Sequence, residues 1–416
     1  MENSKYITAM FPYPSGSGLH VGHWYNYAII DSYCKLQRYK GYDVFQPFGF
    51  DSFGLPAENY AKKVGRDPKE VTDESISNFR NEMKRMKTDY VEMFSTTDPS
   101  YIKWTQWIFT KLYENGLAYK AMRAQSYCSS CETVLAREQV IDNKCERCNS
   151  EVVQKELNQW FFKITTYKDR LIKGLDNVDY PEKTKKQQKN WLDNLEDWCI
   201  SRQRKWGCPI PIEGEEDTMD TFVDSSFYTV RYCDHNNNDK LVEYSKAKQV
   251  DIYVGGNEHA CMHLIYSRFI TMFLYDIGVI PFEEPFKRVI HQGMIVKDGV
   301  KMSKSKGNIV DPSKYDPKHL RMYLMFINHY FEGGSWNDSS FNGIVKFDNR
   351  MRTWMGKSGN DTIDIDEFKD KVISYFESWK TNKVISEWMI FYNKNKEKNL
   401  NEETKSKIME FYDILG

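Results

Sequence analysis

Several features that would narrow the class of this protein are missing from its sequence. No uninterrupted apolar stretch among the 416 residues is long enough to span a bilayer, and the opening MENSKYITAM has no basic segment followed by an apolar run. Net charge is nearly absent, because 58 Lys and Arg face 59 Asp and Glu, which argues against a uniformly polybasic nucleic-acid binder. We therefore expect a cytoplasmic protein without membrane segments, in which any nucleic-acid contact comes from a local patch.

Two common glycine motifs of nucleotide binding are also absent. Gly16, Gly18 and Gly22 form GxGxxxG, one residue too long for the dinucleotide motif, and there is no GxxxxGK[ST]. The nine cysteines are an odd number, which disfavours a fully paired disulfide framework in a chain of this size.

Strand patterns alternate with helical patterns along the chain. A strand over 5–11 precedes a glycine-containing loop, a helix over 20–39 and a second strand over 42–48. Further along, a strand over 251–256 precedes a helix over 258–275 and a strand over 288–296. This alternation predicts an α/β fold with a mostly parallel sheet covered by helices. The length leaves room for two or three domains.

The segment GSGLHVGH, residues 16–23, lies where a strand pattern gives way to a helix. Small residues let a ligand approach the backbone there, and a helix start attracts anions. His20 and His23 lie three residues apart, on one face of the helix, and each can donate a hydrogen bond to a polyphosphate. Two solvated histidines at an ordinary helix start are the alternative interpretation.

A second segment, KMSKSKGN at 301–308, lies in a basic part of the chain. Residues 287–321 contain nine Lys and Arg and three Asp and Glu, a local net charge of +6. A loop that carries Lys301 and Lys304 could close over a triphosphate and stabilise charge on a departing pyrophosphate. A solvated lysine-rich turn is the alternative.

Four cysteines form two CxxC pairs, Cys128 with Cys131 and Cys145 with Cys148, separated by thirteen residues. Four thiolates in two such turns are typical of a closed, structural zinc site. Two reduced or redox-active pairs are the alternative, which the low apolar content of the surrounding insertion disfavours.

HVGH followed by KMSKS, in this order on alternating strands and helices, resembles the HIGH and KMSKS signatures of class I aminoacyl-tRNA synthetases. The segments around them are similar to those of leucyl-tRNA synthetases, over about residues 5–345. They are MFPYPSG (10–16), GFDSFGLPAENYA (49–61), LNQWFFKIT (157–165), DWCISRQRKWGCPIP (197–211), DTFVDSSFY (220–228) and YVGGNEHACMHLIYSRF (253–269).

The resemblance implies a Rossmann-like parallel sheet, split by a zinc-bearing connective insertion and followed by a partial α-helical domain. It divides the chain into the first half of the catalytic domain (1–120), the zinc insertion (121–156), a connective segment (157–200), the second half with the KMSKS loop (201–342) and a partial anticodon-stem-binding domain (343–416).

The resemblance also implies a role for each matching residue. His20, His23, Lys301 and Lys304 would act on the ATP phosphates in leucine activation. ATP would also contact Gly18, Gly22, Gly256, Glu258, Met302 and Ser303, with Glu258 at the ribose. Leucine would contact Met10, Phe11, Tyr13, Asp51, Phe222, Ser225, Tyr228, His259 and His263, with Asp51 at the α-ammonium. The aromatic residues among them could instead be ordinary residues of the hydrophobic core. The spacing of His259 and His263 also matches that of an HxxxH metal-ligand pair.

The implied activity is attachment of leucine to tRNA-Leu through leucyl-adenylate, by a monomer that uses ATP, Mg²⁺ and a structural Zn²⁺. A methionyl-type synthetase and a non-catalytic tRNA-binding paralogue or fragment are the alternatives.

Two departures from the family pattern modify this expectation. The family normally carries an editing domain where this chain has only LDNLE at 192–196, so we expect no editing in cis. Family members also continue with a complete helical domain, whereas about two helices are expected here before Gly416. Phe411, Ile414 and Leu415 on the last of them are then expected to lack a partner surface.

Overall fold

The computed structural model describes residues 3–14, 19–135, 139–302 and 307–416, without the side chain of Pro56. Its first part contains strands and helices that form one half of a parallel sheet and its cover. They are β1 (Ser4–Ala9), α1 (Val21–Tyr39), β2 (Asp43–Phe45), β3 (Pro47–Phe50), α2 (Leu55–Val64), α3 (Pro68–Arg85), β4 (Val91–Ser95) and α4 (Pro99–Glu114).

A long antiparallel ribbon and several short elements separate this half from the next. They are β5 (Ala118–Cys128), β6 (Thr133–Val134), β7 (Val140–Ile141), β8 (Lys144–Cys145), β9 (Val152–Phe162), α5 (Lys168–Gly174), α6 (Glu182–Asp193), β10 (Trp198–Cys199), β11 (Ser201–Arg202), β12 (Thr218–Met219), α7 (Thr221–Asp224) and α8 (Tyr228–Tyr232).

The second half of the sheet is followed by a bundle of helices. These elements are β13 (Val250–Val254), α9 (His263–Asp276), β14 (Phe286–Ile290), β15 (Met294–Lys297), β16 (Val300–Lys301), α10 (Pro317–Phe326), β17 (Gly333–Trp336), α11 (Asp338–Met355), α12 (Asp366–Glu377), α13 (Thr381–Asn395) and α14 (Glu402–Tyr412).

The central sheet brings distant parts of the chain together in the order β14, β13, β1, β2, with every pair parallel. Strand β3 pairs in parallel with β4. The chain leaves β1 toward β2 on one side of the sheet, and β13 lies on the other side. Such a change of direction opens a crevice at the carboxyl ends of the strands, and the predicted parallel α/β fold is confirmed.

Two strand predictions were too long. The pattern over 42–48 is divided between β2, which pairs with β1, and β3, which pairs with β4. The pattern over 288–296 ends with β14 and resumes in β15, because a turn at 291–293 intervenes. At Gly293 an added Cβ would lie 1.9 Å from the amide nitrogen of Gly333, so the chain is too tightly packed there for a side chain.

The expectation for the C-terminal helices was wrong. Four helices, α11 to α14, follow β17 rather than about two. The side chains of Phe411, Ile414 and Leu415 are buried, and the ring of Phe411 contacts those of Tyr39 on α1 and Trp388 on α13. The last residues therefore complete a core shared by the bundle and the first helix of the sheet domain.

Within the part of the chain that the structure describes, no helix combines the length and the apolar character needed to cross a lipid bilayer.

Candidate active site

The candidate site lies at the carboxyl edge of the central sheet. Ala9, Val254 and Ile290 end three neighbouring strands in matched register. The residues that follow these strands therefore surround one crevice, as the parallel topology requires.

The two histidines of the HVGH segment cap the start of α1. The Gly22 amide donates to His20 Nδ1 at 3.0 Å, and the His20 amide donates to His23 Nδ1 at 3.2 Å. Because both Nδ1 atoms accept, each neutral ring carries its proton on Nε2. Burial, followed by the charge of His20, lowers the pKa of His23 well below its ordinary value. His23 is therefore a neutral donor near pH 7.

A cleft of about 330 Å³ opens beside these rings. Its walls contain His20, Gly22, His23, Asn26, Gly256, Glu258, Gln292, Gly293, Met294, Ile295, Lys301, Met302 and Ile309. The structure thus brings together both histidines, Lys301 and most of the residues assigned to ATP. Gly18, Ser303 and Lys304 lie outside the described residues.

A tight turn at Gly255 and Gly256 forms one wall of the cleft. An added Cβ at Gly255 would lie 2.0 Å from Met10 Sδ, and one at Gly256 would lie 2.1 Å from Glu258 Oε2. Only glycine fits at both places without displacing the Met10 side chain or the Glu258 carboxylate.

A second, much smaller cavity of about 20 Å³ adjoins this turn. It is lined by Met10, Phe11, Tyr13, Asp51, Ser225, Tyr228, Tyr253, His259 and His263. Eight of the nine residues assigned to leucine surround it. The ninth, Phe222, instead lines a neighbouring cavity of about 450 Å³ together with Tyr13 and His259.

Asp51 supplies a buried carboxylate to the small cavity. Thr221 Oγ1 donates to Asp51 Oδ1 at 2.9 Å, and Oδ2 has no hydrogen bond to any described residue. Burial, reinforced by the nearby Asp224, raises the pKa of Asp51 well above its ordinary value. A cationic ligand would oppose both effects, so this carboxylate is suited to bind an ammonium group.

Stacked rings and a chain of hydrogen bonds hold the walls of this cavity. Phe11 stacks on Tyr228 at 3.8 Å between ring centres. Tyr228 shares a hydrogen bond with Tyr253, and the Tyr253 hydroxyl is 2.7 Å from His263 Nε2. Burial lowers the pKa of His263 to about 3, so its ring is neutral near pH 7 and the wall carries no charge there.

The larger neighbouring cavity lies between the cysteine-bearing insertion and residues that follow β3, β12 and β13. Arg147 from the insertion, Trp206 and Phe222 contribute to its walls, as do Arg202 and Asp220. Arg202 Nη2 donates to Asp220 Oδ2 in a buried ion pair. Three arginines, Arg147, Arg202 and Arg204, and three acidic residues, Glu146, Asp220 and Glu258, line this cavity, so it is charged without a net basic character. It opens beside the carboxylate cavity.

The four cysteines of the two CxxC pairs converge. Their sulfur atoms all lie within 4.8 Å of one another, with Cys128 and Cys148 at 3.4 Å and Cys131 and Cys145 at 4.0 Å. A tetrahedron with metal–sulfur bonds of about 2.3 Å has sulfur–sulfur edges of about 3.8 Å. The sulfur atoms therefore fit a zinc ion, and both measured pairs are too far apart for a disulfide.

Among the described residues, no third ligand joins His259 and His263 in a metal cluster, since the four cysteines form the one such group there. The rings of these two histidines meet edge to face at 6.1 Å.

Several residues of the site were not predicted from the sequence. Tyr253 lies at the end of β13 and reaches the small cavity, and Asn26 lies three residues beyond His23 on the same face of α1. Helical spacing could have identified Asn26. Gln292 follows β14 at the carboxyl edge of the sheet. The sequence does not show that β14 lies next to β13 in this sheet, so it could not place Gln292 in the cleft.

The amino-acid sequence of this chain matches known protein families and individual relatives. A model described as tRNA synthetases class I (I, L, M and V) matches residues 2–214, and one described as tRNA synthetases class I (M) matches residues 130–349. The leucine–tRNA ligase of Clostridium botulinum (strain Hall) is 31% identical over 625 aligned positions, covering 88% of this chain and 77% of the relative. That of Caldanaerobacter subterraneus subsp. tengcongensis is 31% identical over 608 positions, covering 86% and 74%.

Solved structures agree with these sequence relatives. The LeuRS agnB2 of Agrobacterium radiobacter K84, in a ternary complex with tRNA and LeuAMS, has a TM-score of 0.87 and 25% identity, over 99% of this chain and 83% of that one. A methionyl-tRNA synthetase of Mycobacterium tuberculosis, bound by methionyl-adenylate, has a TM-score of 0.77 at 20% identity, over 93% and 82%; this likeness concerns the fold alone. The chain therefore belongs to the class I tRNA synthetases, in the leucine–tRNA ligase family.

Proposed function

We propose that this chain joins leucine to tRNA-Leu in two steps, with leucyl-adenylate as the intermediate. The observation that carries the proposal is the contact between two cavities of different chemistry. A cleft with paired histidines and Lys301 meets a carboxylate cavity at Glu258 and His259, which are consecutive in the chain. Together they can hold a nucleotide and an amino acid with their reacting groups adjacent.

In the first step, a carboxylate oxygen of leucine attacks the α-phosphorus of ATP, and the bond to the bridging oxygen of pyrophosphate breaks. Asp51 would hold the ammonium group, and the ring wall formed by Phe11, Tyr228 and Tyr253 would surround the side chain. The small size of this cavity, about 20 Å³, implies that side chains move when leucine enters. Met10 is suited to such movement, because it is unbranched and flexible.

Negative charge accumulates on the phosphates during this step. The Nε2–H groups of His20 and His23 would donate to the phosphates, while Lys301, Lys304 and an ATP-bound Mg²⁺ would neutralise the departing pyrophosphate. Glu258 would accept hydrogen bonds from the ribose hydroxyls. The site thus acts by positioning and electrostatics, without a side-chain nucleophile.

In the second step, the 2'-hydroxyl of the terminal tRNA adenosine attacks the activated carbonyl carbon, and AMP leaves. The neighbouring cavity of about 450 Å³, which has Arg147 and Trp206 in its walls, adjoins the carboxylate cavity and would admit this end of the tRNA. The ternary complex of agnB2 LeuRS with tRNA and LeuAMS supports a site that holds both ligands together. We further propose that the enzyme acts as a cytoplasmic monomer.

We propose that this chain does not edit mischarged tRNA in cis. Helix α6 ends at Asp193 and β10 begins at Trp198, and the intervening residues turn directly, with the amides of Asn194 and Leu195 donating to the carbonyls of Trp191 and Leu192. The alignment to the Clostridium botulinum ligase spans 625 positions against 416 residues here, so this relative has segments that find no counterpart. Both observations support discrimination by the synthetic site alone.

A zinc ion would have a structural role in this enzyme. Cys128, Cys131, Cys145 and Cys148 would hold it, and Leu55 of α2 packs against the same cluster. Zinc would thereby fix the insertion against α2, which begins just after Asp51.

Exchange of pyrophosphate into ATP tests the proposal. We expect exchange that depends on leucine, with loss of most activity in His20→Ala and Lys301→Ala. Exchange driven by methionine would favour the methionyl alternative, whose fold is shared, and absence of exchange with any amino acid would favour a non-catalytic paralogue. Purified protein should not hydrolyse Ile-tRNA-Leu faster than buffer does, and clear deacylation would contradict the absence of editing.

A further inference from the structure

His291 lies in the turn between β14 and β15, outside the lining of the nucleotide cleft, and joins two elements that are distant in sequence. Its Nδ1 is 2.8 Å from the carbonyl oxygen of Gly255, and its Nε2 is 2.9 Å from Thr184 Oγ1 on α6. The ring therefore connects the glycine turn of the cleft to the helix that precedes the short connection at 194–197.

These two contacts determine the tautomer of His291. A carbonyl oxygen can only accept, so Nδ1 carries the proton and donates to Gly255. Nε2 then accepts from the Thr184 hydroxyl, which is completely buried. Burial lowers the pKa of His291 more than its hydrogen bond to Gly255 raises it, so the neutral ring with one donor and one acceptor is the form present near pH 7.

The hydrogen bond to Gly255 determines where the next amide points. In a trans peptide the carbonyl and the following N–H point in opposite directions. Because the Gly255 carbonyl is directed at His291, the Gly256 N–H is directed away from it, and Gly256 lines the nucleotide cleft. This N–H makes no hydrogen bond to any described residue.

A second contact holds the same turn. The Gly255 amide donates to the carbonyl of Ile290 at 3.0 Å, and Ile290 immediately precedes His291. The Gly255 N–H and the Gly255 carbonyl are thus both held by adjacent residues at the end of β14. The Gly256 carbonyl in turn accepts from the His259 amide at 3.3 Å, so the Gly256 N–H is the polar backbone group of this turn that has no partner among the described residues.

We propose that His291 is a positioning residue of the nucleotide site, which aims the Gly256 N–H at an acceptor of the adenosine. The inference rests on the proposed function, since it names a residue that prepares the same site for ATP. Thr184 holds the ring in the tautomer that can donate, and His291 itself does not touch the substrate.

Variants of His291 test this role through the Michaelis constants in pyrophosphate exchange. His291→Ala leaves the Gly255 carbonyl without its donor, and we expect the KM for ATP to rise about five- to tenfold, as for the loss of one hydrogen bond. The KM for leucine should stay within about twofold, because the leucine cavity keeps its walls. His291→Asn places an amide N–H near the position of Nδ1 and should restore most of the affinity for ATP.

Thr184→Val and His235→Ala complete the set. Without the Thr184 hydroxyl the ring can adopt the tautomer that presents a lone pair to the carbonyl, so a smaller rise in the KM for ATP is expected. His235 is another half-buried histidine, away from both cavities, and its replacement should change neither constant.

Calorimetric titration with ATP alone separates this proposal from the proposed function. If the unmodified chain shows no leucine-dependent exchange, the proposed function fails, whereas weaker ATP binding by folded His291→Ala still supports the positioning role. Unchanged ATP affinity in His291→Ala would overturn it. Equal losses in His291→Ala and folded His291→Asn, or parallel rises in the KM for ATP and leucine, would overturn it as well.

Discussion

Replacement of Cys131 by serine tests the zinc cluster. The four sulfur atoms lie within 4.8 Å of one another, and two of the distances are 3.4 and 4.0 Å. These values bracket the edge of about 3.8 Å expected around zinc. X-ray absorption of the purified protein should therefore show four sulfur neighbours at about 2.3 Å.

The structure also indicates how much the insertion depends on the metal. Apart from the cysteines, four aliphatic side chains form its small core, those of Leu55, Leu135, Val140 and Val152. Full burial contributes about 1.5–3 kcal/mol for each such side chain, and because Val140 and Val152 are only partly buried, the four contribute at most roughly 6–12 kcal/mol together. Structural zinc contributes about 10–16 kcal/mol in small domains, so the metal is the larger contribution and the insertion should unfold without it.

Zinc content and hydrogen exchange measure this outcome. In Cys131→Ser we expect zinc to fall from one ion per chain to nearly none, with loss of amide protection over residues 128–135 and 139–152 and retained protection in β13. Cys233→Ser is the matched control, because Cys233 is half-exposed and outside the cluster. Full zinc content in Cys131→Ser, or nitrogen and oxygen neighbours in the absorption spectrum, would show that the four cysteines do not form the zinc site.

Three further substitutions test the carboxylate cavity and the buried charges. Asp51→Asn removes the buried charge that faces the ammonium group, and kcat/KM for leucine should fall about 10- to 150-fold while the KM for ATP is unchanged; steady-state exchange kinetics measure both. His263→Gln keeps a partner for Tyr253 but cannot be protonated. Because the pKa of His263 is about 3 in the folded chain and about 6.5 in the unfolded one, its stabilisation is complete above pH 6.5 and decreases below it. The loss reaches about 2 kcal/mol at pH 5, so denaturant midpoints at pH 7.5 and 5 should differ less in the variant. Arg321→Met leaves Asp31 buried without the guanidinium group that binds it at 2.6 Å, with Lys35 at 2.9 Å as its remaining ion-pair partner, and the unfolding free energy should fall by up to about 3–5 kcal/mol. The double variant with Asp31→Asn should lose less than the two single variants combined.

The sequence predicted the parallel sheet and the start of α1 because periodicity and helix caps are local properties. His20 lies at the helix start as expected, although its own ring, paired with that of His23, provides the cap. The break of the strand pattern at His291 and Gly293 could not be predicted, because its cause is contact with Gly333 and Thr184, far away in the chain.

The candidate site was predicted through family motifs more than through local physics. Those motifs identified residues that the structure brings together, such as Asp51 and His259, but they gave Tyr253 no role in the cavity. Phe222 lines the neighbouring cavity instead, because α7 turns its side chain toward Tyr266. The partners of Phe411 were also missed, since α13 and the face of α1 that receive it belong to other parts of the sequence.

Leucine-dependent exchange of pyrophosphate, followed by charging of tRNA-Leu, tests whether this chain is an active leucine–tRNA ligase. We predict exchange with leucine that exceeds exchange with methionine by at least two orders of magnitude, and charging of tRNA-Leu by the same 416-residue chain. Exchange with methionine in place of leucine, or no exchange with ATP, Mg²⁺ and zinc supplied, would show that this chain does not activate leucine.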